Sequence, residues 1–354
     1  MTTSFWKGKT VFITGHTGFK GSWLTLLLTN LGARVVGYSL SPATEPNLFT
    51  LAKIEELCDR SYIGDIRDLV VLRDAMQAAK PDIVMHLAAQ PLVRQSYTDP
   101  VGTYSTNVMG TVNVLEAVRA TPSVRACLVI TSDKCYENQE WHYAYRESDA
   151  LGGYDPYSNS KACAELVVSA YRRSFFLNGV SVATARAGNV IGGGDWAEDR
   201  LVPDAMKAFS IAEPFVVRHP DAIRPWQHVL EPLMGYLALV ERQWNKPEKY
   251  ADAFNFGPHP HQQATAGDIA QLLVRYWGDD ARFKIVESGA NAAHEAGRLI
   301  LDISRTCARL DWKPRFDHEQ AISRTVNWYK GIIKNPEAAR ELCNIDINAY
   351  NEIL

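Results

Sequence analysis

Tyr157 and Lys161 stand four residues apart in DPYSNSK, directly after Pro156, a residue suited to the first turn of a helix. That spacing puts the phenol and the ammonium on one helical face. A free phenol has a pKa of about 10, too high for a good base at neutral pH, and a lysine charge within one turn favours the phenolate. The same ammonium can hold a ribose hydroxyl. Upstream, the apolar run ACLVI ends in Thr131, Ser132, Asp133 and Lys134. A strand there delivers these polar side chains to the C-terminal edge of a sheet, where open α/β sheets bind ligands. Ser132 can hydrogen-bond an oxygen that becomes a carbonyl, while Asp133 and Lys134 supply two ionisable groups beyond the needs of a simple oxidation. Tyr-x-x-x-Lys alone is common by chance and takes its meaning from its surroundings.

The surroundings include Gly15, Gly18 and Gly21, spaced G-x-x-G-x-x-G between the β-branched run Thr10–Thr14 and an apolar helical segment. Glycines there let the backbone of Thr17, Phe19 and Lys20 approach a pyrophosphate seated on the helix N-terminus. After the second strand a carboxylate usually holds the adenosine ribose, but VVGYSLSPATEPN offers only Gly37, Tyr38 and Ser39. No arginine in that segment receives the 2′-phosphate of NADP, so NAD is the expected cofactor, with Lys20 the nearest cation. Asp65 in GDIRD, followed by Ile66, is placed to accept from an adenine amino group; a helix N-cap by Asp65 or Asp68 is the alternative. His86 to Gln90 closes the next strand with small residues, so Leu87, Ala88 and Ala89 are expected against the cofactor.

Five β-branched runs, Thr10–Thr14, Arg34–Leu40, Asp82–Ala88, Ala126–Ser132 and Ser181–Ala187, alternate with segments of helical period. Trp23, Leu24, Leu27, Leu28 and Leu31 form one apolar helical face that Gly32 terminates. Further helices are expected at Val71–Ala79, Asn107–Ala120 and Pro156–Leu177. The pattern predicts an α/β fold, a Rossmann doubly wound parallel sheet with a smaller C-terminal α/β substrate-binding lobe. Residues 1–187 form the dinucleotide domain in this reading. Residues 188–354, rich in Gly, Pro and Trp, form mainly the substrate lobe, with about 224–258 returning to the first domain.

Composition narrows the function. The 354 residues are 46% apolar and 22% charged with a formal charge of −3, which suits a folded protein and leaves no basic stripe for nucleic acid. Six scattered cysteines without a Cys-x-x-Cys pair argue against a metal centre or disulfide framework and for a reducing cytoplasm. The sequence shows no secretory pattern and no run approaching the ~18 apolar residues of a membrane span, so neither export nor membrane insertion is expected.

GHTGFKG, TSDKCYEN, YRESDALGGYDPYSNSK and RAGNVIGGGDW together resemble the extended short-chain dehydrogenase/reductase family, and the likeness continues through RPWQHV, FNFGP, HEAGRLILD and RLDWKP. Within that family it is similar to the sugar-nucleotide 4,6-dehydratases. These more often carry Thr-Asp-Glu at the strand end, and Ser132-Asp133-Lys134 departs toward the branch that acts on CDP-glucose. The resemblance implies loss of water from CDP-D-glucose to give CDP-4-dehydro-6-deoxy-D-glucose through bound NAD, a step of deoxysugar or O-antigen biosynthesis. It implies Tyr157 as the base at O4, Ser132 sharing that hydrogen bond, Asp133 as the acid at O6, and Lys134 either as the base at C5 or as a cation beside the enolate. Candidates for the sugar and diphosphate are Arg94, Ser96, Asn107, Asn189, Arg200, Arg224, His294 and Glu295, the arginines because their forks match phosphate oxygens. Trp196, Trp226 and Trp312 are read as lobe core. A homodimer or homotetramer is expected. Two rivals remain: an epimerase on the same scaffold, which has no need of Asp133 and Lys134, and a regulator that senses NAD without turnover.

Overall fold

The computed structural model describes residues 3–278, 281–286 and 296–353. Its centre is a parallel sheet of β1 (Thr10–Thr14), β2 (Arg34–Ser39), β3 (Arg60–Ile63), β4 (Ile83–His86), β5 (Ala126–Ile130), β6 (Ser181–Ala187) and β7 (Ala253–Phe256). The order is β7-β6-β5-β4-β1-β2-β3, so the order of strand addition reverses between β1 and β4. In such sheets the ligand crevice opens at that reversal.

Helices cover both faces because the strands are apolar on both. Val11 and Ile13 of β1 lie in one core with Trp23, Leu24, Leu27 and Leu28 of α1 (Phe19–Asn30). Phe12, between them, lies in the other core with Leu72 and Met76 of α2 (Leu69–Ala79) and Val114 and Leu115 of α3 (Gly110–Arg119). Asp68 caps α2 by accepting from Val70 N and Val71 N, which leaves Asp65 free of that duty. α1 ends at Asn30, and Gly32 supplies the φ of 81° that turns the chain away.

Three strands end earlier than their apolar runs: β2 at Ser39, β4 at His86 and β5 at Ile130. The excess residues turn out of the ladder to build the crevice. The helix expected over Asn107–Ala120 begins earlier, at Pro100, and passes through a π-turn at Ser105–Met109, where Asn107 pairs with Gln90 and Ser160. α4 (Pro156–Ser174) is capped by Asp155, whose Oδ1 accepts from Ser158 N at 2.9 Å.

Beyond β6 the chain makes α5 (Leu201–Ser210), α6 (Leu230–Asn245), α7 (Ala266–Trp277), α8 (His318–Lys334) and α9 (Ala339–Glu352). α6 packs on β5 and β6, while α7 packs against α5 and α8. Among the described residues no helix is long and apolar enough to cross a membrane.

Candidate active site

A cleft of about 940 Å³ runs along the C-terminal edge of the sheet and gathers residues from both halves of the chain. Gly15, Thr17, Gly18, Phe19, Lys20 and Gly21 line one end, with Asp65, Ile66, Leu87, Ala88 and Ala89. Gly15 has a φ of 81°, and any Cβ there would overlap the backbone of Ala88. A Cβ on Gly21 would overlap Gly15 O, so the loop closes only with glycine at both positions. Gly18 N-caps α1 with no side chain in the way, which suits an anion on the helix N-terminus.

At the far edge of this end, Ser39, Leu40, Ser41 and Arg67 line the cleft. Ser39 Oγ pairs with Thr17 Oγ1 at 2.8 Å, so the hydroxyl that follows β2 braces the glycine loop. Asp65 accepts from Arg67 N and Nε, both at 2.9 Å, and this bonding holds its carboxyl below the usual range. The cation of this end is therefore Arg67. Lys20 turns elsewhere: its ammonium lies 3.5 Å from Tyr236 Oη and beside Lys161, Arg200 and Asp133. The expectation that Lys20 lies nearest the adenosine ribose is corrected, because the first turn of α1 directs it inward to the catalytic end. Burial and the two neighbouring cations push the ammonium down to about 7.

The middle of the cleft holds Ser132, Asp133, Lys134, Tyr157 and Lys161. Ser132 Oγ donates to Asp133 Oδ1 at 2.9 Å and accepts from Lys134 N at 3.2 Å, capping a short turn that follows β5. It also hydrogen-bonds the Tyr157 phenol. Asp133 is 2% exposed, its Oδ2 has no hydrogen-bond partner among the described residues, and it packs where a Cβ on Gly188 would sit. A buried carboxylate oxygen left unpaired is costly unless a substrate group or a proton meets it.

Tyr157 differs from expectation. Burial pushes its phenol up to about 12, with the Ser132 hydrogen bond and the Arg200 charge acting the other way and Asp133 adding to the rise. Lys161 directs its ammonium to Ile130 O, to which it donates at 3.2 Å. Burial lowers that ammonium to about 8, against the charge of Glu165. Arg200, whose charge favours the phenolate, is held in place by Asp195 at 2.8 Å.

Arg94, Asn189, Arg200 and Arg224 all line the substrate end. Arg94 pairs with Asp199 at 2.8 Å, tying the short helix Val93–Thr98 to the loop before α5. Two candidates lie elsewhere. Ser96 is fully buried and donates to Val93 O within its own helix, and Asn107 spends its amide on Gln90 and Ser160. Neither reaches the cleft, because each satisfies backbone or neighbouring polar groups below it. His294 and Glu295 lie outside the described residues. Trp312 is buried in the core and Trp196 packs on Trp328 and Tyr329, whereas Trp226, also buried, borders the cleft. Sequence reasoning missed Arg67, Asp204, Arg218 and His219 as cleft residues. Arg67 was legible two residues after Asp65; the others sit where no periodic signal marks them.

A Rossmann sheet with a glycine loop at its reversal and a Ser, Tyr and Lys set at its edge defines a dinucleotide-dependent short-chain dehydrogenase/reductase. The chain belongs to the GDP-mannose 4,6 dehydratase family, whose model matches residues 12–325. It is 50% identical over 340 residues to CDP-glucose 4,6-dehydratase of Salmonella typhimurium, covering 94% of each chain. It is 28% identical over 337 residues to dTDP-glucose 4,6-dehydratase of Xanthomonas campestris, covering 90% of this chain and 93% of that one. Among solved structures it is similar to dTDP-glucose 4,6-dehydratase of Bacillus anthracis in complex with NAD, with a TM-score of 0.76, 21% identity and coverage of 95% and 100%. It is also similar to UDP-glucose-4-epimerase of Stenotrophomonas maltophila with bound NAD, with a TM-score of 0.78, 20% identity and coverage of 92% and 99%. The two structures establish the shared fold.

Proposed function

We propose that this enzyme converts CDP-D-glucose to CDP-4-dehydro-6-deoxy-D-glucose and water with NAD held throughout the cycle. The observation that carries the reading is the unpaired Asp133 carboxylate oxygen beside Ser132 and Tyr157. An epimerase has no step that uses it, and a sensor without turnover has no use for Ser132, Tyr157 and Lys161 together. The choice of CDP-glucose rests on the likeness to the Salmonella typhimurium enzyme.

The glycine loop fits a dinucleotide, since Gly15 and Gly21 leave backbone where a side chain would block it. Residues 10–22, Asp65, Ile66 and Leu87–Ala89 would hold the adenosine and pyrophosphate, and Tyr157 and Lys161 the nicotinamide ribose. Bound there, the nicotinamide would supply a reversible hydride acceptor, so that the sugar is oxidised at C4 and reduced at C6 with no net change in the cofactor. Tyr157 removes the O4 proton, with Ser132 sharing the hydrogen bond and Arg200 favouring the phenolate. The C4 ketone acidifies C5. Lys134 takes the C5 proton, Asp133 gives a proton to O6 and water leaves; Lys134 then returns its proton to C5 as C6 is reduced. Arg94, Arg200 and Arg224 bind the diphosphate, Asn189 the sugar.

In this reading residues 1–187, joined by about 224–258, hold the dinucleotide and the remainder holds the sugar nucleotide. The enzyme works in the cytoplasm as a homodimer or homotetramer. A panel of CDP-, dTDP-, GDP- and UDP-glucose, with and without added NAD, tests the assignment. A 4-keto product, absorbing in alkali, is expected from CDP-glucose at least tenfold faster than from the others; equal rates across the panel would remove the CDP assignment, and no product from any would remove the activity.

A further inference from the structure

Glu165 lies four residues beyond Lys161 on α4, so the two side chains leave the same face. It is 2% exposed, and none of the steps above uses it. Both of its carboxylate oxygens are occupied. Oε1 accepts from Thr131 Oγ1 at 2.5 Å, and Oε2 accepts from Thr184 Oγ1 at 2.8 Å and from Arg186 Nη2 at 2.9 Å. Thr131 immediately precedes Ser132, and Thr184 and Arg186 belong to β6. A single carboxylate therefore joins three elements: the helix of Tyr157 and Lys161, the strand end of Ser132 to Lys134, and the strand that leads to Gly188.

We propose that Glu165 is a positioning residue that fixes the Tyr157 and Lys161 helix against the Ser132 to Lys134 strand end and supplies the counter-charge that keeps Lys161 an ammonium. The inference rests on the roles given to Tyr157 and Lys161 under the proposed function. A buried ion pair is weak evidence of net stabilisation, but removing one partner leaves an uncompensated charge, so the arrangement is held as a unit. Arg186 extends the brace by donating to Tyr136 Oη at 2.8 Å, and Tyr136 Oη donates to Asn255 of β7 at 2.7 Å.

The charges around the pair agree with this role. Facing Lys161 are Glu165 along α4, Cys135 after β5, Lys20 at the start of α1 and His86 at the end of β4. His86 is held neutral by burial and Lys20 is repulsive, so Glu165 is the group that most favours the ammonium. Facing Glu165 are Arg186 from β6, Arg172 along α4 and Cys135. Burial opposes the Glu165 charge, but Arg186 and the two threonines outweigh it and hold the carboxyl below the usual range.

The test is NAD affinity against pH, read by tryptophan fluorescence, together with kcat on CDP-glucose, for wild type, Glu165→Gln and Thr131→Val. Wild-type affinity is expected to fall above about pH 8 as Lys161 loses its proton. Glu165→Gln should move that fall down by roughly one pH unit, leaving affinity about tenfold weaker at the alkaline end. Thr131→Val keeps the Glu165 charge and loosens the strand end, so the midpoint should stay in place while kcat drops roughly tenfold. A Glu165→Gln midpoint identical to wild type, or an unchanged kcat in Thr131→Val, overturns the proposal. If Glu165→Gln does not fold, Glu165→Asp replaces it: the retracted charge should lower kcat, and an unchanged kcat again overturns the idea. A wild-type protein that binds no NAD would instead remove the functional reading itself.

Discussion

Tyr157→Phe is expected to lower kcat on CDP-glucose by about 10²- to 10⁴-fold, the range for loss of a positioned acid or base. Substrate affinity should change little. The phenyl ring fills the same space, so the change removes only the hydroxyl that hydrogen-bonds Ser132. Because burial holds the phenol at about 12, deprotonation depends on the cations around it, Arg200 among them. Stopped-flow absorbance at the reduced-cofactor band measures the C4 oxidation alone. A Tyr157→Phe variant that oxidises C4 at the wild-type rate would place the base elsewhere, with Lys134 the next group in the cleft.

Asp133→Asn should separate the two halves of the reaction. The amide keeps the size of the carboxyl and can still accept from Ser132 Oγ, so the site geometry survives. It cannot deliver a proton to O6. Oxidation at C4 should then persist within about tenfold while water loss falls by roughly 10²-fold or more. The 4-keto sugar with its C6 hydroxyl intact should accumulate on the enzyme. Mass spectrometry of the quenched complex reads this directly. Loss of both steps together would make Asp133 a brace for Ser132 and no proton donor.

Much of this site was legible in sequence because its signals are local. The apolar run before Ser132 and the four-residue step from Tyr157 to Lys161 each depend on one element, and both groups line the cleft. The glycine loop was legible for the same reason. The errors came from contacts between elements. Ser96 and Asn107 carry the right chemistry, but the side on which they lie is fixed by how Val93–Thr98 and the π-turn pack, and both point into protein. Lys20 was placed by its position in the loop, and only the fold shows it beside Lys161 and Arg200. The Tyr157 and Lys161 spacing did not reveal Arg200, a cation distant in sequence whose charge also acts on the phenol. Glu165, in plain view one turn beyond Lys161, acquired meaning only once Thr131, Thr184 and Arg186 were found around it.

The central claim is that one active site oxidises C4, expels water and reduces C6 of the same sugar. CDP-glucose carrying deuterium at C4, turned over in ordinary water, tests it most directly. The account predicts that the deuterium appears at C6 of the 4-keto product and that no epimer forms. Deuterium retained at C4 of an epimerised sugar, or lost to solvent, would contradict it.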